Sequence, residues 1–367
     1  MGGPQLAEAG VEIVVDQREL AVGGIFEILT SLPRLIRARR RMLDCVRREK
    51  PDLAVLVDSG GFNLPLARDV KRIGGTPILY YVAPQIWAWR RRRLRKLAAR
   101  TDRIAVILPF ERDYYAARGV EVDFVGHPVL DRLRPPVREG GPARSVDGIE
   151  EAPRPDRRAL RARLGITRDA PVLAIFPGSR RNELERNLPV QVEAFLQLRA
   201  ADPTLHAIVG LAPSLEAEAV RRILSAVRAE LPDALHVIQG ETDAVISAAD
   251  LAVAKPGTVT VELMLRGCPM VVTGRAHPGS AWLAARWIDV EWLAMPNLVA
   301  GEPIVPELLQ TDARPDRIAA ALAPLFEGPE RDRQIEALKE ASRRLGGPGA
   351  AQRASEIVEE MLASDRA

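Results

Sequence analysis

Cysteine is nearly missing from this sequence: Cys45 and Cys268 are the only two in 367 residues, and they lie far apart. That excludes a disulfide framework and a cysteine-built zinc site, and it fits a reducing compartment. Histidine is almost as scarce, with four residues, and no pair has metal-ligand spacing, so no metal site is expected. Aromatic residues make up 4%, too few to favour stacking platforms for nucleic acid. No stretch approaches the roughly 18 unbroken apolar residues a membrane span needs, and the residues after Met1 do not read as a signal peptide. What is present is ordinary for a globular chain: 47% apolar and 28% charged residues. The length suits two domains with real cores. The net charge of +3 hides an asymmetry, because residues 1–135 hold 24 basic and 16 acidic side chains, or +8, leaving −5 for the remainder.

Short apolar runs alternate with helix-sized spacers along the whole chain. The early runs are Leu53–Val57, Ile78–Val82, Ile104–Leu108 and Val122–Val125; the later ones are Val172–Phe176, His206–Gly210, Leu251–Ala254 and Met270–Thr273. Near-continuous apolar strands with helical spacers predict α/β domains built on parallel sheets covered on both faces. Arg134–Asp156, rich in Pro, Gly and charge, reads as a linker with an insertion. The expected layout is an N-terminal domain over 1–135, a linker over 136–165 and a second domain over 166–335. Helices over 336–367 would follow, packing back on the first domain. A doubly wound domain normally opens on a strand, a glycine turn and a helix; here Met1-Gly2-Gly3-Pro4 leads to Val11–Val15 without that opening.

Four places carry chemistry. Asp58 ends the first apolar run, where open α/β sheets bind ligands, and can serve as a general base toward a hydroxyl; the alternative is a turn or capping carboxylate. Pro177-Gly178-Ser179-Arg180 follows Val172–Phe176, with Glu183 in the next helix's first turn. Glycine lets backbone approach a ligand, while Ser179 and Arg180 can hold a diphosphate and neutralise a leaving phosphate; the alternative is a strand-to-helix turn with ordinary capping. Lys255-Pro256-Gly257-Thr258 repeats the strand–turn–helix pattern, and Glu262 one turn later can accept from ribose hydroxyls or simply favour the helix dipole. The fourth place is the pair of cationic segments. Trp87 and Trp89 precede Arg90, and Ile25 to Ile36, including Phe26 and Leu29, precede Arg37 and Arg40. Such segments suit an anionic lipid surface, or a core-facing helix with a basic outer side. Among the histidines, His127 in Gly126-His127-Pro128 is the one expected near a binding cleft.

Taken in order, the segments resemble lipid-A-disaccharide synthases, two-domain glycosyltransferases of the GT-B type. The resemblance runs through GGPQLAEAG at 2–10, LAVGGIFEILTSLPRL at 20–35, VDSGGFN at 57–63 and YVAPQIWAWR at 81–90. It continues through LPFERDYY at 108–115, FVGHP at 124–128, PGSRRNELE at 177–185, PGTVTVELMLRGCPMVV at 256–272 and MPNLVAGEPIVPELLQ at 295–310. It implies two Rossmann-like doubly wound domains facing a cleft. It also implies inverting transfer from a UDP-2,3-diacylglucosamine donor to 2,3-diacylglucosamine 1-phosphate, without bound metal or other cofactor. Asp58 would be the base and Arg180 the diphosphate holder. Gly178, Ser179, Glu183, Gly257, Thr258, Glu262 and Asn297 would bind the donor, and Asn63, Trp87, Trp89, Arg90, Phe26, Leu29, Arg37 and Arg40 would meet the acceptor or membrane. The implied partners are the two lipid substrates and an anionic inner-membrane surface in a Gram-negative cytoplasm, with no nucleic acid and with a homodimer left open.

Three departures stand out. The family's usual Asp-x-Pro-Asp-Phe-Asn has Gly60-Gly61 in place of Pro-Asp. Its Ser-Gly-Thr becomes Lys255-Pro256-Gly257-Thr258. About 40 family residues before Gly-Gly-Pro, including a first strand and its loop, have no counterpart here, which implies a start assigned too late. Two rival readings follow: a non-catalytic lipid- or UDP-binding relative, and a UDP-N-acetylglucosamine epimerase-like enzyme, which would need no acceptor.

Overall fold

Apolar runs become parallel strands here, and the most continuous of them, Val172–Phe176 and Leu251–Ala254, are buried along their whole length. The computed structural model describes all residues except 18–24, 89–92, 134–156, 229, 278, 280–285, 287–289 and 365–367, and leaves the side chains of 25–31 and 217 undescribed. Two units divide the chain: Met1–Pro136 with Gly347–Ala367 in the first, Val137–Arg286 with Glu291–Gly346 in the second. The expected linker lies mostly outside the described residues.

The first unit runs α1 (Pro4–Glu8), α2 (Ile25–Glu49), β1 (Ala54–Val57), α3 (Gly60–Gly74), β2 (Ile78–Tyr81), α4 (Leu94–Ala98), β3 (Arg103–Val106), α5 (Pro109–Ala116), β4 (Asp123–Phe124) and α6 (Val129–Leu133). Its described sheet is parallel with order β1-β2-β3-β4, each strand beside the next in sequence. β1 lies at an edge of that sheet, with Val55 and Val57 exposed. The core gathers Leu56, Phe62, Leu64, Ile78, Tyr80, Ile104, Val106 and Tyr115, with Ala38 and Leu43 from α2. Arg39 of α2 donates to the Asp69 carboxylate and the Pro65 carbonyl of α3, which ties the two helices.

The second unit begins with α7 (Arg157–Arg163), which occupies part of the stretch expected to be linker. Its Arg161 is 3% exposed and spends its guanidinium on the Ala248, Arg168 and Ala170 carbonyls and on Asp250. A buried charge satisfied in this way is a fixed joint, because breaking it would strand the partner. There follow β5 (Val172–Phe176), α8 (Arg181–Ala201), β6 (His206–Leu211), α9 (Ala217–Val227), β7 (Leu235–Gln239), α10 (Thr242–Ala248), β8 (Leu251–Ala254), α11 (Thr258–Leu265) and β9 (Met270–Gly274). Then come α12 (Met295–Ala300), β10 (Glu307–Leu309), α13 (Pro315–Leu322) and α14 (Pro329–Arg344). The six-stranded order β10-β9-β8-β5-β6-β7 is parallel throughout. α8 packs Leu184, Leu188, Val192 and Phe195 into the core at helical spacing. Its polar Asn187 and Gln191 reach the end of β9, accepting the Arg275 N–H at 2.7 Å and donating to the Thr273 hydroxyl at 2.9 Å.

α15 (Ala350–Ser364) returns the chain to the first unit. Asp131 of α6 accepts the backbone N–H groups of Gly349, Ala350 and Ala351, so a carboxylate from another helix caps α15. Arg353 donates to the Val125 carbonyl at 2.9 Å, and Ile357 packs with Leu79, Ala105 and Val125. No helix among the described residues is long and apolar enough to cross a membrane.

Candidate active site

In the first unit the candidate chemistry sits on a strained corner. Asp58 and Ser59 both take left-handed backbone, with φ of 47° and 45°. Residues bearing a Cβ resist that conformation at a cost on the order of 1–3 kcal/mol each, so something must hold it. Asn63, 2% exposed, does so by donating both amide hydrogens, to the Val57 and Asp58 carbonyls at 2.9 Å each. The buried Tyr80 hydroxyl adds a third bond, to the Asp58 carbonyl at 2.5 Å. α3 then starts on the Ser59 carbonyl, which accepts from Phe62 and Asn63. The corner is thus pinned through its backbone while the Asp58 carboxylate stands exposed. Asn63, expected to meet the acceptor, is instead the pin.

The two glycines after this corner differ. A Cβ on Gly60 would lie 2.7 Å from the Pro84 Cβ, whereas one on Gly61 would meet nothing within 4 Å. Gly60 therefore packs the start of α3 onto the Pro84–Trp87 segment. Trp87, expected at the acceptor or membrane surface, is 3% exposed and belongs to the interior. A buried indole N–H needs an acceptor, and Glu111 of α5 provides it at 2.8 Å, with Phe110 edge-on at 4.8 Å. The other Glu111 oxygen accepts the Ile107 and Leu108 N–H groups at 3.1 and 2.9 Å. Burial pushes the Glu111 carboxyl up to about 7, against the pull of the hydrogen bonds from Leu108, Trp87 and Ile107. His127 is also buried and its Nδ1 accepts the Val129 N–H; burial lowers its pKa to about 4, so the ring is neutral.

α2 shows both faces of its expected character. Leu35, Ala38, Met42, Leu43 and Val46 face the core, while Arg37 and Arg40 are exposed beside Leu32 and Ile36, themselves 48% and 42% exposed. Trp89 and Arg90, and the side chains of Phe26 and Leu29, lie outside the described residues, as do Trp282 and Trp287.

In the second unit, topology itself marks the place. From β5 the chain moves outward through β6 and β7, then returns to lay β8, β9 and β10 on the opposite side. The order reverses between β5 and β8, and open α/β sheets bind ligands at the carboxyl ends of the strands flanking such a reversal. Those ends carry Gly178-Ser179-Arg180 and Lys255-Pro256-Gly257-Thr258. The two loops are neighbours: Phe176 pairs with Ala254, and the Lys255 N–H donates to the Phe176 carbonyl at 2.9 Å.

Glu183 joins them. Its carboxylate accepts the Ser179 N–H at 2.9 Å and the Arg180 guanidinium at 3.2 Å, and pairs with the Lys255 ammonium at 3.1 Å. Burial alone would raise its pKa, but Lys255, the Ser179 N–H and Arg180 outweigh burial and hold it below the usual carboxylate value. Gly178, at φ 125°, leaves room for this: a Cβ there would fall 2.6 Å from Glu183 atoms. Ser179, Arg180 and Thr258 are exposed at the mouth of these loops, and Glu262, one turn into α11, is buried.

Asn297, expected at the donor, has other work. Its amide hydrogens go to the Val305 carbonyl and Glu307 at 2.9 Å each, and its oxygen accepts the Val305 N–H at 2.8 Å. Glu307 also accepts the Leu293 and Ala294 N–H groups, so the pair closes the 293–307 turn and both side-chain amide hydrogens of Asn297 are spent on it. A cavity of about 800 Å³ near the start of β10, lined by Trp292, Ile304, Val305, Leu325 and Arg333 among others, includes neither glycine loop. Sequence reasoning passed over Glu111 and Tyr80, and it placed Lys255 in an anion-holding turn without giving it a partner. Glu111 carries a local signal, three residues after Leu108 at a helix start; the meeting of Lys255 with Glu183 carries none, because it depends on β5 lying beside β8.

The lipid-A-disaccharide synthetase family model matches residues 1–361. A lipid-A-disaccharide synthase of Myxococcus xanthus (strain DK1622) is 39% identical over 369 residues, covering 100% of this chain and 90% of that one. One from Pectobacterium carotovorum is 37% identical over 326 residues, covering 89% and 80%. Among solved structures, the UDP-GlcNAc 2-epimerase of Neisseria meningitidis superposes with TM-score 0.62 at 13% identity, covering 97% of this chain and 87% of that one. The calicheamicin glycosyltransferase CalG4 gives 0.55 at 18%, covering 98% and 89%. At such identities these two likenesses speak for fold alone, and the fold they share with this chain is GT-B.

Proposed function

This chain belongs to the lipid-A-disaccharide synthetase family, glycosyltransferases of lipid A biosynthesis, and from that premise we propose that it joins UDP-2,3-diacylglucosamine to 2,3-diacylglucosamine 1-phosphate with inversion, releasing UDP. The observation that carries the donor half is the convergence of Ser179, Arg180 and Lys255 where the second unit's strand order reverses. Cations and a backbone N–H aimed at one point suit a diphosphate whose charge grows as it leaves. Gly257 and Thr258 lie in the same loop pair, and Glu262 is assigned to the ribose.

The acceptor half is assigned to Asp58. In a single displacement the acceptor 6-hydroxyl oxygen attacks the anomeric carbon as the bond to the UDP oxygen breaks. The hydroxyl proton passes to the Asp58 carboxylate, and the electron pair leaves with UDP, facing Arg180. One base and one stabilised leaving group are enough, and this chain offers both without a second carboxylate at Gly61. Incubation of the protein with the two lipids, read by mass spectrometry and anomeric NMR, should give UDP and a β-linked disaccharide. An α-linked product would overturn the inverting reading, and conversion of UDP-sugar without acceptor would overturn the transfer itself.

The exposed Leu32 and Ile36 beside Arg37 and Arg40 support attachment of α2 to an anionic bilayer, where apolar burial and cation attraction act together. Cosedimentation with phosphatidylglycerol vesicles should fall sharply in a Leu32→Asp/Ile36→Asp variant. Unchanged cosedimentation would remove α2 from that role.

A further inference from the structure

We propose that Lys255 is itself a ligand of the donor diphosphate, and that Glu183 is the anion it exchanges for phosphate. The proposal rests on the donor reading above and deepens it by giving Lys255 and Glu183 separate roles. Three observations in the second unit lead there.

Charge comes first. The Glu183 carboxylate faces two cations, Lys255 and Arg180, and a backbone N–H. One negative charge against two positive ones leaves a surplus at the mouth of the two loops. A diphosphate brings at least two negative charges and several acceptor oxygens, which is what that surplus and these donors match.

Depth comes second. The Glu183 side chain is 14% exposed, whereas Lys255 and Arg180 are 31% and 59% exposed. The acid lies beneath and the cations lie above it, on the side a ligand can reach. A carboxylate cannot itself hold a diphosphate, so the role of Glu183 in this site is to aim the two cations. That makes Glu183 a positioning residue, in place of the direct donor contact expected from sequence.

The loop's own chemistry comes third. Pro256 brings neither a hydroxyl nor an N–H to the turn. The Lys255 ammonium has three N–H donors on a flexible stem, and its backbone is fixed by the bond to the Phe176 carbonyl. It can therefore turn from Glu183 to a phosphate oxygen without moving the strand.

The test measures binding of UDP and of uridine to the full chain by calorimetry. Lys255→Met should weaken UDP binding about 10- to 100-fold, the worth of a charged hydrogen bond, and leave uridine within twofold. Glu183→Gln removes both the competing charge and the aim it gives, so it serves as a background only: the Lys255→Met penalty on UDP binding should persist in it. If the penalty vanishes there, Lys255 serves only Glu183 and the proposal is wrong. It is equally wrong if Lys255→Met leaves UDP affinity within twofold of a UDP-binding wild type, in which case the donor reading survives. A wild type that binds UDP no better than uridine overturns the donor reading and this proposal together. Lys255→Gln, which keeps the stem, repeats the measurement should the methionine variant lose uridine binding.

Discussion

Each unit sets a glutamate against an adjacent loop, and the two environments are opposites. Glu111 in the first unit meets an indole N–H and two backbone N–H groups in a dry interior. Glu183 in the second meets a lysine, an arginine and one backbone N–H. Burial wins in the first case and raises the carboxyl to about 7; cations win in the second and lower it. The lesson concerns how each unit builds its site. The first fixes its corner with neutral bonds to backbone, leaving Asp58 outward, whereas the second fixes its loops with charge.

The hardest test of that contrast is catalytic. Asp58→Asn should cut kcat about 1,000-fold while UDP affinity stays put, since the base acts on the acceptor. Arg180→Ala should cut kcat about 100- to 1,000-fold and weaken UDP binding as well. Equal effects of both variants on UDP affinity would erase the division of labour.

A smaller effect comes from acid–base linkage. Glu111 binds its proton more tightly folded than unfolded, so its contribution is present below its ordinary value of about 4.5 and is lost as pH rises through about 7. The span is on the order of 3 kcal/mol. Glu183 works the other way: its contribution is present above its ordinary value and is lost as pH falls through its lowered one. Urea unfolding from pH 5 to 8 should show a declining stability component that Glu111→Gln removes and Glu183→Gln does not. The component is read as the difference between wild type and Glu111→Gln, because buried His127 contributes with the opposite slope below its ordinary value of 6.5; no difference in slope between the two proteins would contradict the burial of Glu111.

The smallest effect separates neighbouring glycines in the first unit. Gly60→Ala should destabilise by about 1–3 kcal/mol through overlap with Pro84. Gly61→Ala, with open space, should be neutral or stabilise by less than about 1 kcal/mol. Thermal midpoints of the two variants decide it, and similar values would mean that Pro84 yields.

Much of the fold was readable because its signals are local. Val172–Phe176 and Leu251–Ala254 are strands end to end as their apolar runs indicate, and the other runs shift by one or two residues at their ends. β7 and β10 escaped notice: β7 has no fully buried position and β10 is three residues long, so neither shows a continuous apolar run. The glycine loops were legible as anion-holding turns, since strand, glycine and helix follow in sequence. Asn63, Trp87 and Asn297 were legible as important, but the structural bonds they make were not: all three are buried. Burial is decided by elements distant in the chain, such as Glu111 for Trp87. For Asn297 the partners are near, at Val305 and Glu307, yet nothing in the motif tells a turn clamp from a ligand contact.

The cap that Asp131 places on α15 has a consequence for synthesis. The first unit's last helix is encoded after the whole second unit. On the ribosome, Asp131 emerges with no partner, and about 200 further residues follow, on the order of 10–40 s at ordinary elongation rates. Until then Val125 and Leu79 lack the cover of Ile357. The N-terminal unit is therefore sealed only when the last helix returns to it.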